Sequence, residues 1–181
     1  MEIQSALLLG RGAVLHASGV SLLGQGVAVI APGGGGKSTL ATTLAANGWR
    51  ILSDDRSVVC RGSDGRYLLF PAPGDSIWRE NPPAESAKLS AIILVEKSTN
   101  LLVRKHSLRY GCYRILRDRQ IWPDRERLLG KIEERSAARE DLRKIAESVS
   151  MVTAAYNSMS ERQGEELSEW LRRNLIGSTS I

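Results

Sequence analysis

"VIAPGGGGKSTL" (residues 29–40) sets four consecutive glycines, a lysine and a serine between two apolar runs. Each glycine loses more backbone entropy on folding than another residue would, so four in a row ask for a use. The flanks suggest it. Val27 to Ile30 is apolar throughout, as a strand buried on both faces would be. "KSTLATTLAANG" (37–48) reads as a helix, with Leu40 and Leu44 one turn apart and Gly48 at the C-terminal stop. The pattern G-x-x-x-x-G-K-[S/T] is a phosphate-binding P-loop, and here it runs Ala31, Pro32, Gly33, Gly34, Gly35, Gly36, Lys37, Ser38 and on into Thr39, with Ala31 in place of the first glycine. Backbone N–H groups of such a loop face phosphate oxygens. Lys37 is expected to reach the β- and γ-phosphates, and the Ser38 hydroxyl to ligate Mg²⁺. The positive end of the helix points at the same anion.

The next element sharpens this reading. A helix over Lys37 to Asn47 rises about 16 Å. The short strand in "WRILSDD" (49–55) returns a similar distance, at about 3.3 Å per residue. A right-handed crossover makes that strand parallel to Val27–Ile30. Its end, Asp54-Asp55, then lies at the sheet edge of the glycine loop, where ligands bind in open α/β sheets. One carboxylate is placed to contact Mg²⁺, and the other to accept a proton from an attacking hydroxyl. "AIILVE" (91–96) imitates a later metal-binding strand ending in Glu96, but reads better as an ordinary buried strand.

The rest of the chain frames this unit. "AVLHASGVSLLGQGVAVIAP" (13–32) predicts two β segments around the turn "GQG". "RSVVCRGSDGRYLLF" (56–70) predicts a hairpin, and "PAPGDSIWRENPPAES" (71–86) a loop. "LSAIILVEK" (89–97) and "NLLVRKH" (100–106) predict strands. Apolar or small residues from Leu128 through Ile132, Ala138, Leu142, Ile145 and Val149 predict one helical face, begun near Pro123 and Asp124 and interrupted at Arg135. "SMVTAAY" (150–156) predicts a last strand, and "SERQGEELSEWLRRNL" (160–175) a closing helix.

Composition bounds the answer. A chain of 181 residues, 42% hydrophobic and 25% charged, is expected to be one domain with its own core. Cys60 and Cys112 lack metal-ligand spacing, which predicts a reduced, cytoplasmic setting. The N-terminal stretch does not predict a signal peptide, and no apolar run approaches a membrane span. Residues 103–148 hold 13 Lys and Arg against 8 Asp and Glu, equal to the net charge of +5. That segment suits either an anionic docking face or a solvated helical surface. It carries no nucleic-acid motif, and nucleic acid is not expected as a partner.

"LHASGV" (15–20), "APGGGGKST" and "NGWRILSDD" together resemble the catalytic domain of the HPr kinase/phosphorylase family, and more distantly ATP-dependent phosphoenolpyruvate carboxykinase. The likeness covers about residues 13–58, a third of the chain. It implies an α/β fold, with a P-loop-containing mixed β-sheet core over 1–106 and a mainly helical part over 107–181. It implies ATP and Mg²⁺, with Lys37 on phosphate and Ser38 on the metal. The Asp54/Asp55 pair would supply the acid/base, Asp55 preferred, with Asp54 a metal ligand. His16 would be an active-site histidine. The family's glutamate metal ligand has a loose match in Glu80 of "SIWREN". The family's later phosphorolysis loop has no recognisable counterpart, so a short or divergent member is implied. The expected activity is a serine-type hydroxyl kinase acting on a protein, peptide or small acceptor. The alternative is an ATP-binding regulator or slow ATPase of the same fold. Self-association is a further expectation, with the face of 128–149 as one candidate interface. An ABC-type ATPase is disfavoured because its signature segment is absent, a nucleoside kinase because a hairpin precedes the P-loop strand, and a carboxykinase because the chain is short.

Overall fold

The computed structural model describes residues 12–72, 86–107, 111 and 133–176. Among these residues, thirteen elements follow in order. The first are β1 (Gly12–Leu15), β2 (Ser18–Leu22), β3 (Gln25–Ile30), α1 (Lys37–Ala46), β4 (Arg50–Ser53), β5 (Ser57–Arg61) and β6 (Tyr67–Pro71). Then come β7 (Ala87–Lys97), β8 (Leu102–Lys105), α2 (Glu133–Glu147), β9 (Ser150–Tyr156), α3 (Glu161–Leu171) and a π-helical turn over Arg172–Ile176. Among the described residues, no helix is long and apolar enough to cross a membrane.

The nine strands of the described residues join one mixed sheet, in the order β1-β5-β6-β7-β3-β2-β4. β9 pairs with β7 and carries β8 outside it. β3, β7 and β9 are mutually parallel, so the apolar run Ala91 to Val95 sits between two parallel neighbours. Alternate residues of these strands face opposite ways. Ala28, Ile30, Ile92 and Leu94 pack with Leu142, Ile145 and Ala146 of α2 on one face. Val27, Val29, Ile93 and Val95 pack with Leu40 and Leu44 of α1 and Leu167 and Leu171 of α3 on the other. The result is a mixed α/β fold with helices on both faces.

Four expectations change. The β2–β3 hairpin turns at Leu23-Gly24 rather than "GQG", with Leu22 opposite Gln25 and both turn residues at positive φ. A two-residue turn of that kind matches the right-handed twist of the strands it joins. The strand expected before it breaks at His16-Ala17 into β1, which pairs with β5, and β2, which pairs with β3 and β4. The mainly helical second part contributes β9 to the middle of the sheet, so the two parts share one core. Finally, the face bearing Leu142 and Ile145 is buried against the sheet, so these residues serve the core and not an interface. Leu128, Ile132, Pro123 and Asp124 lie outside the described residues, as does Cys112.

Candidate functional site

β3 delivers the chain to the glycine loop, and Lys37 opens α1. Gly34 and Gly36 adopt φ of 69° and 95°, left-handed values that only glycine takes at no steric cost. Gly35 donates its N–H to the Pro32 carbonyl at 2.7 Å. A Cβ there would stand 2.7 Å from that oxygen and 2.8 Å from the Ala31 Cβ. Three of the four glycines are therefore required by the path of the loop itself. The α1 ladder begins with the Leu40 N–H on the Gly36 carbonyl. No side chain caps this end, and its first turn holds no acid. α3, by contrast, is capped by Ser160, which accepts from the Gln163 N–H, and carries Glu161 in its first turn. The N-terminus of α1 thus presents a partial positive charge beside a concave glycine backbone, which suits an anion.

The Asp54-Asp55 turn reaches the same place, but not by a crossover to a strand directly beside β3. β4 runs parallel in direction to β3 but does not pair with it. β2 lies between them, antiparallel to both. The end of β4 still falls at the edge from which the glycine loop leaves. The bend at His16, between β1 and β2, lies there too. His16 Nε2 stands 2.9 Å from Asp55 Oδ1, and Lys37 Nζ stands 3.0 Å from the same Nε2. Burial pulls the Lys37 ammonium below the usual lysine value, while the negative charges of Asp55 and Asp54 push it back up.

One imidazole nitrogen meeting both an ammonium and a carboxylate is a frustrated contact. With its proton, Nε2 donates to Asp55 and has no lone pair to accept from Lys37. Without it, Nε2 accepts from Lys37 and turns a lone pair toward Asp55. A second acceptor for the lysine, such as an anion in the glycine loop, relieves the conflict.

Buried hydroxyls that the sequence reading did not single out surround this turn. Ser18, Ser53 and Ser57 are fully buried. Ser18 donates to the Asp54 carbonyl. The Gly19 N–H donates to Ser53 Oγ at 2.8 Å, and Ser57 Oγ donates to the Ala17 carbonyl at 3.0 Å. The signal available in the sequence was a serine on either side of Asp54–Arg56, at the end of one buried strand and the start of the next.

Ser38 and Thr39 occupy the first turn of α1 and are exposed, open to a ligand. Ser38 and Asp54 offer hard oxygen donors, which suit Mg²⁺, an ion that takes one or two protein oxygens beside phosphate and water. Among the described residues, no three His, Cys, Asp or Glu side chains gather as a metal cluster. Glu80 lies outside the described residues. Glu96 sits on β7, which does run beside β3, but two residues past the level of Ile30. By strand alternation its side chain shares the α2 face with Ile92 and Leu94, whereas Ala31 packs on the α1 face.

A family model described as SynChlorMet cassette protein ScmC matches residues 2–107, more than half of the chain. No curated protein matches it. Among solved structures, the Hpr(Ser) kinase/phosphatase from Coxiella burnetii aligns with a TM-score of 0.54 over 91% of this chain and 92% of that one, at 11% sequence identity. That likeness is one of fold.

Proposed function

The chain belongs to the SynChlorMet cassette protein ScmC family, and we propose that it is an ATP-dependent phosphotransferase of the HPr kinase type that phosphorylates a hydroxyl group. The observation that carries this reading is the meeting of Lys37, His16 and Asp55 within hydrogen-bond distance at the mouth of the glycine loop. The fold it shares with an HPr(Ser) kinase/phosphatase supports it.

In this reading the loop from Ala31 to Gly36 and the first turn of α1 hold the triphosphate. Lys37 moves its ammonium from His16 to the phosphate oxygens. That leaves the His16 Nε2–H to Asp55 alone and ends the frustrated contact. Ser38 and Asp54 would hold Mg²⁺, which supplies charge neutralisation for the phosphoryl oxygens. Asp55 removes the proton from the acceptor hydroxyl as its oxygen bonds to the γ-phosphorus. The bond from that phosphorus to the β,γ-bridging oxygen breaks, and ADP departs. Little covalent chemistry is asked of the protein, so positioning and charge stabilisation supply most of the rate. The acceptor is a protein, a peptide or a small hydroxylated molecule.

Isothermal titration of wild type and Lys37→Ala with ATP–Mg²⁺ tests the reading. Wild type is expected to bind, and Lys37→Ala to lose at least about tenfold in affinity, as the loss of one charge-assisted contact implies. Absence of binding by wild type, or equal binding by both, overturns it. Hydrolysis without any acceptor, with no transfer to one, would favour the slow ATPase.

A further inference from the structure

Ser53 closes β4 and Ser57 opens β5, so the two bracket the Asp54-Asp55 turn. Their hydrogen bonds run in one direction only. Ser57 Oγ gives its single proton to the Ala17 carbonyl. The 2.6 Å contact between the two hydroxyls must then be a donation from Ser53 to Ser57. Ser53 in turn accepts from the Gly19 N–H. The chain reads Gly19 N–H, Ser53, Ser57, Ala17 carbonyl, with every proton assigned. Ser18 adds a bond to the Asp54 carbonyl. Both ends and the first residue of the acidic turn are thereby tied to residues 17–19, which directly follow His16. Gly19 is part of the device, because a Cβ there would stand 2.7 Å from Ser53 Oγ and 3.3 Å from Ser57 Oγ. The bulge between β2 and β4, beside Gly19, sets Ser53 opposite it.

Burying a hydroxyl costs free energy unless it is bonded, and alanine would fill a core position without that cost. Two buried serines bracketing one short turn, with a third reaching it from β2, therefore point to geometry rather than to packing. We propose that Ser53 and Ser57 are positioning residues that lock the Asp54-Asp55 turn to the His16 bend, so that Asp55 and His16 meet Lys37 as one rigid unit. Its kinetic consequence rests on the phosphotransferase reading, whereas its geometric consequence does not.

Two readouts on Ser53→Ala and Ser57→Ala separate these. The first is the imidazole nitrogen spectrum of His16, distinguished from His106, the other of two histidines, by a His106→Gln background. Both variants, folded by circular dichroism, are expected to move the His16 Nε2 resonance toward that of a free imidazole. The second is γ-phosphoryl transfer, where kcat should fall about 10–100-fold, as for a small misplacement of a reacting group. The ATP KM should change by less than kcat does, because these bonds do not touch the glycine loop and Asp54 supplies only one of the oxygens that would hold the metal. An unchanged His16 resonance in the folded variants overturns the proposal whatever the activity. So does a loss of activity that only tracks loss of folded protein. If wild type transfers no phosphoryl group, the phosphotransferase reading falls and the resonance alone decides the positioning role. Should Ser53→Ala not fold, Ser57→Ala, which leaves the Gly19 N–H bonded, carries both readouts.

Discussion

Gly164 lies inside α3, where it faces Thr43 of α1, and a Cβ built on it would collide with Thr43 Cγ2. Two opposing terms decide what Gly164→Ala does. Alanine gains about 1 kcal/mol of helix propensity over glycine. The collision costs about 1–3 kcal/mol as overpacking, since α3 is also tied in place by the bond to its Ser168 from Trp49, which follows the end of α1. The net is a loss of about 1 kcal/mol, or about 2–4 °C in Tm for a chain of this size. Thr43→Ser deletes the offending methyl and keeps the hydroxyl, which donates to the Thr39 carbonyl at 2.9 Å. On that background the new Cβ occupies the vacated space. Gly164→Ala should then raise Tm, for a coupling of about 2 kcal/mol between the sites. Thermal melts of the four proteins, followed by circular dichroism, measure it. If Gly164→Ala raises Tm equally in the wild-type and Thr43→Ser backgrounds, α3 does not press on α1 at this position.

Gly35→Ala puts a methyl group against the Pro32 carbonyl and Ala31. It should lower ATP affinity at least about tenfold by displacing the loop, with Tm reduced by only a few degrees, since loop strain costs about 1–3 kcal/mol. Calorimetric titration and a thermal melt check the two halves. Burial pushes the Cys60 thiol from 9.0 up to about 11. In a Cys112→Ser background Cys60 should therefore resist a thiol reagent at pH 8 until urea unfolds the chain. The same shift sets a pH dependence. Above pH 9 the unfolded thiol ionises first, so the unfolded state holds fewer protons, and stability declines from pH 9 through 11. A Cys60→Ala comparison over that range isolates the effect.

The loop and the acidic pair could be read from residues alone because their constraints are local. Gly34 and Gly36 need positive φ, Gly35 needs a close backbone approach, and one helix plus one strand fixes where Asp54-Asp55 returns. The position of β2 between β3 and β4 could not be read this way, since non-local pairing leaves no periodic mark on a short strand. Nor could the bend at His16, which β1 makes by leaving for β5 while β2 stays with β3. The serines were obscured for a further reason. Serine beside aspartate reads as turn chemistry, and only the crossing of residues 17–19 over the turn shows these hydroxyls to be buried. β9 was visible as an apolar run, but its place against β7 was not.

Transfer of labelled γ-phosphate tests the account most directly. Wild type and Asp55→Asn, each shown by calorimetry to bind ATP–Mg²⁺, are incubated with labelled nucleotide and a lysate as the source of acceptors. Labelled product is expected with wild type, at least about 100-fold less with Asp55→Asn, as loss of a general base implies, and similar nucleotide affinity for both. Equal labelling by the two proteins, or no labelling by a wild type that binds ATP, would contradict it.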